Sequence, residues 1–133
     1  MRDLSFRGKD STGAMNNDWF YGSLDTTFNE DFPRIICKDR WENTMLITVD
    51  GETVGQYTGL KDKNGRKIFE GDIVKVYLAY KTIVCIVKWE DCSYVLQDIK
   101  IQDYKYSMGK SFELEVIGNI YDNPELLEVA DGR

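Results

Sequence analysis

Glu70 and Asp72 stand two residues apart in Glu70-Gly71-Asp72. On an extended chain that spacing points both carboxylates to one face, as a hard-cation site or an acid–base pair requires. A tight turn accounts for the same residues: Gly71 supplies an unusual backbone angle and Asp72 accepts backbone N–H groups at the start of the next strand. The turn is favoured, because the sequence shows no third ligand, no activated nucleophile and, across 133 residues, no histidine. The missing base also bears on Cys37, Cys85 and Cys92, since a cysteine hydrolase needs one. Cys85 lies in Ile83-Val84-Cys85-Ile86-Val87, the ordinary setting of a small buried hydrophobe. Three cysteines without a C-x-x-C spacing fit neither a disulfide framework nor a zinc site. No catalytic residue, metal site or cofactor is expected.

Two further motifs invite binding readings and lose them to turns. Asp62-x-Asn64-Gly65 resembles the start of a calcium loop, but the sixth position of an EF-hand must be Gly and here it is Lys67. An Asx-stabilised turn with Asn-Gly at positive φ explains Asp62 to Gly65 instead. Gly8-Lys9-Asp10-Ser11-Thr12-Gly13 lacks the Walker spacing and reads as a polar hairpin turn.

Two surfaces remain as candidates. Tyr104, Tyr106, Met108 and Phe112 are amphipathic rings and a Met of the kind that favours protein interfaces, and core packing of an ordinary hairpin explains them equally well. Lys61, Lys63, Arg66 and Lys67 cluster around one turn, with Lys75, Lys81 and Lys88 among Tyr77, Tyr80 and Trp89. Cations that track phosphates and rings that stack bases suit single-stranded nucleic acid. Solvated strand faces explain the same pattern, and a net charge of -6 repels phosphate backbones.

The elements that must position these groups are mostly strands. Leu4 to Arg7, Trp19 to Leu24 and Arg34 to Cys37 read as a meander separated by polar turns. Met45 to Val49 meets Asp50-Gly51 before Glu52 to Thr58, which predicts a type I′ β-hairpin. Ile73 to Tyr77, Ile83 to Trp89 and Tyr94 to Leu96 are three closely spaced strands, as in a small barrel. Residues 97–112 form a hairpin arm or a loop, with a glycine turn at Gly109. Phe112 to Ile117 alternates as a last strand, and Asp122-Asn123-Pro124-Glu125 opens a short C-terminal helix. Met1 to Asp10 lack the apolar core of a signal peptide, and no stretch nears the roughly 18 apolar residues of a membrane span. A cytoplasmic location without membrane contact is expected.

Four segments together resemble the YopX family, small proteins encoded mainly in temperate phages and prophages: FRGK at Phe6 to Lys9, WFYGSL at Trp19 to Leu24, the long stretch from Glu52 to Val76, and EVIGNIYDNPELL at Glu115 to Leu127. The resemblance spans nearly the whole chain and implies one domain over residues 1–133, an N-terminal meander to residue 58 and an SH3-like barrel from residue 59. It implies phage origin, a bacterial host's cytoplasm, and no established biochemical activity. The stretches from Tyr77 to Trp89 and from Gln97 to Phe112 belong to none of these motifs, so a specific partner is expected there. The leading expectation is a mostly β, non-enzymatic binding or assembly protein that contacts a protein partner or copies of itself. A nucleic-acid-binding barrel is the alternative, and a carboxylate-dependent metal enzyme the third.

Overall fold

The computed structural model describes residues 4–101, 103–108 and 112–128. Among them are eleven strands, one 3-10 turn and one short helix, and no helix is long and apolar enough to cross a membrane. The chain divides into two compact units, Met1–Tyr57 and Thr58–Arg133.

In the first unit β1 (Phe6–Lys9), β2 (Trp19–Asp25), β3 (Arg34–Lys38), β4 (Thr44–Thr48) and the first half of β5 (Gly55–Lys61) follow the hydrogen-bonded order β4-β3-β2-β1-β5. Ile35, Ile47 and Val49 form its core, covered by Phe6, Phe20, Leu24, Cys37, Met45 and Val54. The polar turn between β1 and β2 is held by one carboxylate: Asp10 accepts the N–H of Thr12, Met15 and Asn17 and the Thr12 hydroxyl. Burial alone would raise this acid, but the donors outweigh it and hold it at about 2.

The type I′ hairpin expected at Asp50-Gly51 does not form. Strand β4 pairs with β3, and β5 with β1, so the two strands flanking Asp-Gly never meet. Asp50, at φ -75, caps a 3-10 turn over Gly51–Thr53 by accepting the Glu52 N–H. Gly51 serves a close approach: its N–H donates to the Asp31 carbonyl, and a Cβ there would lie 2.7 Å from that oxygen. Asp-Gly permits a turn of either kind, and the tertiary partner Asp31 selected this one.

In the second unit β6 (Lys67–Phe69) follows β5, and β7 (Asp72–Tyr77), β8 (Thr82–Glu90), β9 (Ser93–Asp98), β10 (Lys105–Ser107) and β11 (Glu113–Asn119) form an antiparallel sheet in the order β10-β9-β8-β7-β11. Ile68, Val74, Val76, Cys85, Val87, Leu96, Met108, Leu114 and Val116 are its core. Strands β8 and β9 are joined by Asp91 and Cys92, both at positive φ, the backbone of a type I′ turn. α1 (Glu125–Glu128) follows β11. Residues 97–112 are a hairpin arm where described, since β10 pairs with β9; the expected glycine turn at Gly109 lies outside the described residues.

The barrel expected here is an open sheet. Closure requires the two outer strands to pair, and β10 and β11 do not. The outer side of β11 is instead occupied by the turn between β5 and β6: the Lys63 N–H donates to Leu114 O at 2.9 Å, and Asp62 Oδ2 accepts the Val116 N–H at 2.9 Å. A turn and a carboxylate thus stand where a closing strand would.

Candidate functional site

The acidic motifs resolve into backbone supports. Gly71 sits at φ 92, so Glu70 and Asp72 are not on one face of an extended strand. Asp72 is 1% exposed and its Oδ2 accepts the Phe69 N–H at 2.8 Å. Asp62 Oδ1 accepts the N–H groups of Asn64 and Arg66, and Gly65 at φ 80 is the only residue of that turn at positive φ. Asn64 is not, so this is a three-residue loop whose last position is left-handed. Burial would raise the Asp62 acid, but the N–H of Val116, Arg66 and Asn64 and the Arg66 guanidinium hold it below the ordinary range. Among the described residues no group of three or more Asp, Glu, Cys or His could hold a metal ion.

The cationic candidates all lie on the β5–β6 hairpin. Lys61, Lys63 and Arg66 are exposed and Lys67 is half-buried. Their surroundings are not purely basic. The Lys63 ammonium lies 4.5 Å from the centre of the Tyr77 ring, and the Tyr77 hydroxyl donates to Glu115 Oε1 at 2.7 Å. That bond, with burial and the charges of Glu115 and Glu113, raises the Tyr77 phenol above its ordinary range. Glu115 and Glu113, whose charges act on the ring that the lysine covers, oppose an incoming phosphate.

The aromatic candidates do not act as one surface. Met108 is 3% exposed and belongs to the core, while Tyr106 and Phe112 pack on that core and meet edge to face at 6.0 Å. Tyr104 alone stands out, 53% exposed. Its backbone closes the preceding turn, donating to Ile101 O and accepting from the Asp98 N–H.

That turn borders a cleft which no sequence motif indicated. Residues 81–84 form one wall, residues 98–101 another, and Leu126 a third, around about 320 Å³. Asp98 shapes it, its buried carboxylate accepting the N–H of Lys100 and Ile101 at 2.8 and 3.2 Å. Ile83, Val84, Ile99 and Leu126 make it apolar, and Lys81 and Lys100 are its cations. Both non-helical walls come from the two stretches that belong to no family motif, which was the one available signal.

The cysteines are free thiols. Burial, reinforced by Asp98, pushes Cys85 up to about 12, whereas Cys92 is exposed at the β8–β9 turn. A thiol reagent at neutral pH is expected to label Cys92 in the native protein and Cys85 only on unfolding. Mass spectrometry of labelled peptides checks this, and rapid native labelling of Cys85 would contradict it.

The architecture has solved relatives. Protein EF1440 from Enterococcus faecalis is 22% identical with a TM-score of 0.54, over 96% of this chain and 99% of that one. YopX from Bacillus subtilis is 17% identical, also with a TM-score of 0.54, over 96% of this chain and 97% of that one. Both likenesses concern the fold. No curated protein matches the chain. The family model described as YopX protein matches residues 5–128, all but the ends of the sequence, and the chain belongs to the YopX family.

Proposed function

We propose that this protein is a non-enzymatic binding or assembly protein of phage or prophage origin, acting in a bacterial host's cytoplasm through contacts with a protein partner or with copies of itself. The observation that carries the reading is a cleft, lined by residues 81–84, 98–101 and Leu126, with exposed apolar side chains at its border. Ile101 is 46% exposed and Tyr104 53%, and Tyr80, adjoining the Lys81 wall, is 83% exposed. Rings left in water at the turns of a sheet are typical of recognition surfaces. Asp62 and Asp72 accept backbone N–H groups in turns, which further supports a binding role.

Light scattering and affinity capture from a bacterial host test the proposal. The wild-type chain is expected to self-associate or to retain a protein. Tyr104→Ser, which keeps the backbone bonds of its turn, should weaken that association about fivefold or more with the fold unchanged. A monomer that retains nothing, or a variant that behaves as wild type, would count against it. The alternative, phosphate binding at Lys61, Lys63, Arg66 and Lys67, predicts retention of nucleic acid at low salt that falls steeply towards physiological salt. Glu113 and Glu115 make it the weaker reading.

A further inference from the structure

The cleft carries an unused backbone edge as well as apolar walls. In the ladder between β7 and β8, Leu78 N–H donates to Lys81 O across the hairpin, and pairing continues through Tyr77↔Thr82 and Val76↔Ile83. On the other side Ile99 N–H donates to Val84 O, and β9 pairs with β8 from Cys85 onward. Antiparallel strands alternate the side to which each residue's N–H and C=O point. Even-numbered residues of β8 therefore face β9 and odd-numbered ones face β7. Thr82 faces the β9 side at the place where the chain has already turned away at residues 98–101. Among the described residues nothing pairs with Thr82 there.

We infer that this cleft is a docking site for an extended, acidic segment of a protein partner, which adds its backbone to Thr82 and lodges an apolar side chain against Ile83, Ile99 and Leu126. The inference rests on the protein-binding reading and gives it a place and a chemistry. Strand addition supplies main-chain hydrogen bonds while a pocket for an alternate side chain supplies choice. About 320 Å³ is at the small end of ligand sites and suits one or two side chains of a segment. Charge selects the partner. Lys81 and Lys100 line the cleft and meet no carboxylate among the described residues, and Asp98, the acid in the lining, is spent on backbone N–H groups. The chain is net acidic, and Glu125 and Glu128 share the short helix with Leu126, but the cations of the lining itself are Lys81 and Lys100, and charges beyond roughly 8 Å are screened at physiological salt.

The test is a titration of the ¹⁵N-labelled full chain with a capped peptide alternating Leu with Asp and Glu, beside a counterpart carrying Lys in place of the acids. The acidic peptide is expected to shift amides at residues 81–84 and 98–101, with affinity reduced about tenfold or more in K81E/K100E. Raising salt should weaken binding to the wild-type chain as well, a readout that needs no variant. No shift at millimolar peptide, equal shifts with the Lys peptide, shifts centred elsewhere, or unchanged affinity in the variant would each overturn the inference. If wild type and K81E/K100E associate equally with a partner or with themselves, this site falls and the proposed function stands. If the wild-type chain shows no association of any kind, the proposed function falls too.

Discussion

Asp62→Ala is expected to destabilise the protein by about 3 kcal/mol. The carboxylate receives three backbone N–H groups, from Asn64, Arg66 and Val116. Alanine leaves all three without an acceptor, and each buried donor so orphaned costs about 1–3 kcal/mol. Water can reach the exposed Asn64 and Arg66 but not the buried Val116, which sets the estimate near the lower end of the sum. Asp62→Asn keeps one acceptor oxygen but sets an NH₂ group against an N–H donor, so an intermediate loss is expected. The pH dependence follows from the depressed acid. The unfolded chain titrates near the ordinary 3.8 and the folded chain below it. The stabilisation is therefore complete above about pH 4 and is lost as pH falls through the folded value. Urea denaturation should show the gap between wild type and Asp62→Ala narrowing below that pH. A gap under about 1 kcal/mol at neutral pH would refute the role assigned to Asp62.

Gly22→Ala is expected to be as damaging in the first unit, by a different route. Gly22 lies in β2 between β1 and β3, opposite Phe6 and beside the Ser23↔Ile36 pair. A Cβ there would overlap the Ile36 carbonyl oxygen and crowd the Cys37 side chain at 3.4 Å. That oxygen belongs to a strand paired on both sides, so the clash moves backbone rather than a rotamer. Overpacking of this kind costs about 3 kcal/mol. Gly13→Ala is the control: its φ of 79 makes alanine strained, but the only atom within 4 Å of the added carbon is Asn17 Oδ1 at 3.9 Å, so about 1 kcal/mol is expected. If thermal or urea unfolding shows Gly22→Ala to be milder than Gly13→Ala, close approach of β3 is not what requires the glycine.

The readings that survived concern residues a few positions apart. The Asx-stabilised turn at Asp62 and the turn at Glu70-Gly71-Asp72 formed as expected, though Gly65 alone and not Asn64 is at positive φ, because their stabilising bonds close within four residues, Asp62 to Arg66 and Asp72 to Phe69. The strands from Trp19 to Asp25, Arg34 to Lys38 and Asp72 to Tyr77 follow from aromatic content in the first and β-branched content in the other two, between turn signals. Asp50-Gly51 failed because its decisive partner, Asp31, lies twenty positions upstream. Tyr106 and Met108 were offered as contacts because amphipathic residues look alike whether they cover a core or a partner. Which they do depends on β10 pairing with β9.

The sequence by itself determined the mostly β class, the family, the positions of most strands and the absence of a histidine-based site, since composition, periodicity and turn chemistry are local. Only the tertiary structure decided that the second unit stays an open sheet and that a cleft exists. Asp62 reaches Val116 across 54 positions to occupy the outer side of β11, and the cleft opens where β9 leaves β8 short of Thr82. Both outcomes depend on which edges remain unpaired after folding, a property of strand partners and not of any one segment.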